Sequence, residues 1–184
     1  RLFSSVVASH GSLLDLAAFA PEGRMLCAAH GSAAGLDLGA HPLFQRALSS
    51  GRIALGDSLA LGMETRRAVL LVRPLLDREG RAHTLLVALI DQDWLNRRFA
   101  DTVPSGVVLR ILDTEGVFIV RQPDPACCIG RSGLHLLGIR EALAGGQPHI
   151  AESVWLDNVR RLQADIPLKA PLAGVVSIGV PVAL

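Results

Sequence analysis

The chain has 184 residues, half of them apolar and 19% charged, with 18 Lys and Arg against 17 Asp and Glu for a net charge of +1. That balance supports a sizeable core in one or two domains and excludes the electrostatic footprint of a nucleic-acid binder, because no basic block or interleaved aromatic stripe occurs. The longest apolar stretch, 174–184, falls short of the ~20 residues that cross a bilayer, and nothing resembles a signal peptide, so the fragment is expected to be soluble.

The opening RLFSSVVASH places Leu2, Phe3, Val6 and His10 on one helical face with Gly11 just beyond, which predicts the last turns of a helix. The chain starts at an arginine without Met and stops inside the apolar run GVVSIGVPVAL, so both ends are expected to continue in a longer protein. From Leu13 to Ala29, LLDLAAFAPEGRMLCAA reads as two strands around a Pro21-Glu22-Gly23 turn, and PLFQRAL (42–48) follows as a helix. Arg52–Leu55 is strand-like and runs into Gly56-Asp57-Ser58-Leu59. On the strand before Pro74, alternation puts Arg66, Ala68, Leu70 and Val72 on one face. An Asp77-Arg78-Glu79-Gly80 turn then leads into the apolar run Leu85–Ile90. VLRILDTEGVFIVRQ (108–122) is another strand pair about Asp113-Thr114-Glu115-Gly116, followed by a helical stretch, LLGIREAL (136–143), and a run Val175–Ile178. Glu22, Glu79 and Glu115 belong to exposed turns, and Trp155 and Asp157 read as strand and turn residues.

These segments repeat. Gly23 maps onto Gly116 and Pro74-Leu75 onto Pro167-Leu168, each 93 residues on, while Ala47-Leu48 maps onto Ala142-Leu143 at a shift of 95. The period is too long for a solenoid, whose units run ~20 to 50 residues, and reads as two tandem α+β domains, each an antiparallel sheet with helices on one face.

Enzyme motifs fail on inspection. Gly56-Asp57-Ser58-Leu59 matches the tetrad that carries the nucleophilic serine of one lipase and esterase family, but the late Asp-x-x-His that supplies its base is missing at His135 and His149. Neither a G-x-S-x-G elbow, a G-x-G-x-x-G nor a P-loop occurs. The six histidines form no i, i+4 pair, and no Cys or His spacing suggests zinc, so neither a metal nor a cofactor is expected. Cys27 is expected to be buried in its strand and Cys127 and Cys128 to form a loop pair, since adjacent cysteines rarely satisfy disulfide geometry.

In order and spacing, AAFAPEGRMLCAA, HPLFQRALSSGRIALGDS, VLLVRPLLDREGRAHTLLVALIDQDWL, LRILDTEGVFIVRQPDP with IGRSG, and VWLDNVRRLQADIPL resemble the double Cache domain. This is the tandem PAS-like extracytoplasmic sensor of bacterial histidine kinases, diguanylate cyclases and chemoreceptors. The resemblance implies the end of a long N-terminal helix over 1–12, a membrane-distal ligand-sensing unit over 13–98, a linker over 99–106 and a membrane-proximal unit over 107–184. It further implies a non-catalytic, periplasmic part of an inner-membrane receptor that forms a homodimer and binds a small molecule in the distal unit.

The same resemblance nominates the ligand-contacting residues. His41, Leu43 and Phe44 stand where amino-acid-sensing relatives carry an arginine and two aromatics, and Leu70 and Val72 stand where relatives show small polar residues. Asp91 matches the acidic residue that receives the ligand's amine, and the seven expected ligand contacts are His41, Phe44, Asp57, Arg66, Leu70, Val72 and Asp91. Histidine lacks arginine's planar, permanently charged fork and the chain has no tyrosine, so an α-amino-acid clamp is not expected. Each residue also has a structural explanation: Phe44 as core, Asp91 as a helix N-cap, Arg66 as a solvated strand end, His41 as a turn residue, Asp57 as a loop stabiliser. The alternative function is a ligand-free module that dimerises or docks a periplasmic protein.

Overall fold

The computed structural model describes residues 1–61, 66–155, 158–169 and 171–182. The chain folds into two units, the first comprising Arg1–Trp94 with 170–172 and the second Leu95–Lys169 with 173–184.

In the first unit, α1 (Leu2–Ser9) precedes β1 (Leu13–Phe19) and β2 (Met25–Ala28), then come α2 (Pro42–Ser50), β3 (Ala54–Ala60), β4 (Arg67–Leu76) and β5 (Ala82–Asp91). Helix α3 (Gln92–Ala100) follows and contains the division between units. The second unit holds β6 (Val108–Leu112), β7 (Phe118–Gln122), α4 (Leu137–Gly145), β8 (His149–Val154), β9 (Arg160–Pro167) and β10 (Val175–Pro181). Both sheets are antiparallel, with strand orders β2-β1-β5-β4-β3 and β7-β6-β10-β9-β8. Renumbered within each unit these are the same order, so the duplication expected from the sequence is present in the topology.

Local chemistry sets the punctuation. At all three hairpins a glycine with positive φ, Gly23 at 91°, Gly80 at 79° and Gly116 at 75°, occupies a left-handed position that a side chain would strain. Asp77 and Asp113 reinforce two of these turns identically, each carboxylate accepting the backbone N–H groups two and four residues on, at 2.8 to 3.0 Å. Pro42 opens α2 at a position where its missing N–H costs nothing, and Gly51 closes the helix in the left-handed region at φ 64°. Gly146 closes α4 at φ 62° in the same way. α1 packs on β1, but through Val7, while Leu2 and His10 of the expected face are exposed; eight residues leave only a narrow contact stripe.

The first unit's core lies between the sheet and α2. Phe19, Leu43, Phe44, Leu70, Val72 and Leu85 are wholly buried, and the rings of Phe19 and Phe44 meet edge to face with centroids 6.1 Å apart. Each such side chain contributes roughly 1.5–3 kcal/mol of burial, before the entropy of ordering it. The second unit's apolar cluster is smaller, built on Leu112, Phe118, Ile139, Ala142 and Val175.

β9 inverts the usual alternation. Arg161, Gln163 and Asp165 are buried, whereas Leu162 and Ile166 are 49% and 43% exposed. β9 therefore turns a polar face to the interior of the second unit.

Two cysteine expectations are corrected. Cys27 is exposed: on the edge strand β2 it pairs with Ala18, on the face turned away from the core cluster that takes Ala17 and Phe19. Cys127 and Cys128 form a disulfide, at the end of a single 3-10 turn that bends the chain between them.

Candidate functional site

Three of the seven nominated residues lie in the first unit's apolar core. Phe44, Leu70 and Val72 have no exposed surface and pack against one another's neighbours in a single cluster. The polar four form two pairs. His41, at the N-cap of α2, holds Nδ1 at 4.0 Å from Asp57 Oδ2, with that nitrogen buried and, among the described residues, making no hydrogen bond. Asp57 is itself buried, in a left-handed conformation at φ 47°, where β3 bulges between Gly56 and Ser58. Arg66, largely exposed, reaches Asp91 Oδ2 at 3.4 Å. The other oxygen of Asp91 accepts the N–H groups of Asp93 and Trp94 at 2.9 and 3.2 Å, which makes it the N-cap of α3. Asp15, not singled out in the sequence, is wholly buried in β1 and accepts the backbone N–H groups of His30 and Ala33, both at 2.9 Å.

The Ser58 hydroxyl of the esterase-like tetrad is engaged elsewhere: its Oγ donates to Gln92 Oε1 and accepts from Arg67 Nε, both at 2.8 Å. Neither partner is a general base, so these bonds hold the serine in place without activating it.

The second unit presents a different arrangement. Strand register aligns Phe19, Leu85 and Pro74 with Leu112, Val175 and Pro167. One row further along each sheet, Ala28, Ala17, Val87, Val72 and Ala54 are therefore replaced by Arg121, Arg110, Ser177, Asp165 and His149. Arg110 donates to Ser177 Oγ from Nε and one terminal nitrogen, at 3.2 and 2.6 Å, and lies 3.8 Å from Asp165 Oδ1. Gln163 donates to Asp165 Oδ2 at 2.6 Å and accepts from the Trp155 indole N–H at 2.8 Å. The Arg110 guanidinium sits 3.7 Å from the centre of the Trp155 ring, a cation–π contact, and Arg161 approaches the same ring at 4.8 Å. A Cβ on Gly138 would overlap the Asp165 carboxylate, so glycine is what lets α4 pass over it. Burial lowers the Arg110 guanidinium to about 10, with Asp165 opposing the shift and Arg121 and Arg161 adding to it. The group stays charged at neutral pH.

Above this row lies a cavity of about 500 Å³. Its floor includes Arg110 and Trp155, and its walls include Phe118, Leu136 and the Cys127–Cys128 disulfide. Arg121, Arg131 and His135 also line it. A cleft of about 610 Å³ in the first unit is bordered by Arg52, Ile53, Arg73 and Leu76. None of the seven nominated residues lines either one. Trp155 lies just past β8 as part of this floor, and Asp157 falls outside the described residues.

Sequence comparison finds no matching protein-family model and no matching curated protein. Solved structures match over nearly the whole chain. The extracellular domain of rpHK1S-Z16, assigned as a histidine kinase, superposes with a TM-score of 0.71 at 16% identity, over 98% of this chain and 76% of that one. The ligand-binding domain of the Pseudomonas aeruginosa PAO1 amino acid chemoreceptor PctB, solved with L-Gln, gives 0.66 at 14% identity over 96% and 70%. The periplasmic sensory domain of the Campylobacter jejuni chemoreceptor Tlp1 gives 0.64 at 12% over 97% and 75%. The chain thus has the α+β, two-unit fold of these extracellular and periplasmic sensor domains.

Proposed function

We propose that the chain is the extracytoplasmic sensory part of a bacterial membrane receptor, which binds a small molecule and passes a conformational change to a cytoplasmic output module. The observation that carries this reading is the repeated five-strand order of the two units, in a chain whose fold matches a sensor domain of known structure over 98% of its length. In this reading residues 13–98 form the membrane-distal unit and 107–184 the membrane-proximal one, in a homodimeric receptor, and the fragment itself acts without catalysis. The distal site comprises His41, Phe44, Asp57, Arg66, Leu70, Val72 and Asp91. Because Phe44, Leu70 and Val72 have no exposed surface, a molecule held there must part α2 from β4, and the displaced helix is the state it stabilises. Its leverage is limited to its difference in affinity for the two states.

A thermal-shift screen of the chain against amino acids, amines, organic acids, purines and fatty acids tests the reading, since a ligand specific to the folded state raises the melting temperature. The expected result is a dose-dependent rise that Asp91→Ala removes. A cooperative melt that no compound class moves would reject ligand sensing.

One observation favours the alternative of an interaction module. Ile150, Leu162, Ile166, Ile178 and Val180 share the outer face of the second sheet and are 39% to 68% exposed, an apolar surface of the kind that protein partners cover. Sedimentation that shows self-association lost in Ile178→Asp, together with a blank ligand screen, would support it.

A further inference from the structure

The cavity of the second unit carries three arginines, Arg110, Arg121 and Arg131, and no Asp or Glu among its described lining residues. The carboxylate that faces Arg110 within the row, Asp165, is wholly buried and does not line the cavity. Positive side chains around a concave, partly apolar wall focus the local field and raise the concentration of anions inside. Guanidinium forks match a carboxylate geometrically, and they act more strongly there than on an open surface.

The site is also held in shape before any ligand arrives. Arg110 is fixed by Ser177 and by the Trp155 ring. The Arg121 guanidinium donates to the carbonyls of Pro123 and Asp124. The segment with Arg131 is pinned to β7 by two backbone bonds with Phe118, both 3.0 Å, and Gly133 N–H reaches Gly116 O at 2.7 Å. The rest of the lining includes Phe118, Leu136, the disulfide and the Trp155 ring beside Arg110, which offer an apolar surface but few hydrogen-bonding groups. A bare inorganic anion would leave that surface wet. An anion with a flat or aliphatic body would cover it, and about 500 Å³ lies within the usual range of small-molecule sites.

We infer that the second unit binds a small organic carboxylate at this cavity, its anionic group against Arg110, Arg121 and Arg131 and its apolar body against Trp155 and Phe118. The inference rests on the cavity alone and stands whether or not the first unit senses anything.

Isothermal titration of the chain with benzoate, inorganic phosphate and benzylamine tests it, with Arg131→Glu as the informative variant. Arg131 is exposed and, among the described residues, its side chain makes no hydrogen bond or ion pair, so reversing its charge leaves the fold intact; an unchanged melting temperature verifies this. Benzoate is expected to bind, to weaken as NaCl is raised, and to lose about tenfold or more in affinity in Arg131→Glu. Benzylamine is expected not to bind, and phosphate to bind more weakly than benzoate. No binding of benzoate to the folded chain, equal binding of benzylamine, or undiminished affinity in Arg131→Glu each overturns the site. Phosphate binding as tightly as benzoate overturns the assigned ligand class.

Discussion

The two units share a strand order and differ in what fills the space above the sheet. Across the same row the first has Ala28, Ala17, Val87, Val72 and Ala54, and the second has Arg121, Arg110, Ser177, Asp165 and His149. Small apolar side chains let α2 settle Leu43 and Phe44 directly on the sheet, and the space closes. A row of charged side chains cannot be covered that way, because an unpaired buried charge is far costlier than an unfilled volume. The second unit meets that cost with mutual hydrogen bonds below and a polar cavity above. One strand order thus supports two interiors, one tightly packed and apolar, the other open and charged.

The comparison is broken or sharpened most strongly in the first unit. Phe44→Ala is expected to cost about 3–5 kcal/mol, measured by urea unfolding followed by circular dichroism, because its cavity opens in a tightly packed core. A loss below about 1 kcal/mol would mean that this interior is as loose as the other. In the second unit, Arg110→Met is expected to cost about 3 kcal/mol, since it strands the Asp165 carboxylate, and adding Asp165→Leu should restore most of that. An additive double variant would dissolve the network into independent residues.

The Arg110 network also predicts a pH dependence. Its folded-state pKa of about 10 lies below the ordinary value, so the folded chain holds fewer protons than the unfolded one in the range above it. Stability relative to the Arg110→Met/Asp165→Leu variant is therefore expected to rise between about pH 9 and 12.

Smaller and equal effects are expected where the units agree. Gly51→Ala and Gly146→Ala should each cost about 1 kcal/mol, because both place a Cβ in the left-handed region at a helix end. Unequal losses, read from the same urea curves, would show that the two helix ends bear different loads. The smallest change is expected at Asp77, whose pKa is lowered mainly by the backbone N–H of Arg81. Stability from this carboxylate is present above its unfolded pKa and lost as pH falls through the folded one, so Asp77→Asn should flatten the acid limb of a melting-temperature profile.

What could be read in the sequence was what local chemistry dictates. The turns at Gly23, Gly80 and Gly116 and the helix stops depend on few residues, and their order carried the duplication and the fold. The second interior could not be read. In VLRIL both strand faces are apolar apart from Arg110, so alternation does not say which faces inward. In RRLQADIP the alternation is plain but reversed, and the ordinary rule of apolar inside and polar outside assigns Gln163 and Asp165 to solvent. The polar groups paired across β6, β9 and β10, Arg110 with Asp165 and Ser177, are long-range partners that no window along the chain displays. Asp91 was legible in its capping role, whereas Cys127 and Cys128 were misjudged because a tight turn, invisible in composition, brings the sulfurs together.

The contact between Arg110 and the Trp155 ring makes the second unit its own optical probe. The chain has two tryptophans and no tyrosine, and of the two tryptophans it is Trp155 that lines the cavity. A carboxylate bound against Arg110, beside the indole, changes the field on the excited ring, so occupancy should register as a shift in emission. With Trp94→Phe in place, that emission would come from a single ring, and the filling of the cavity could be followed by light alone.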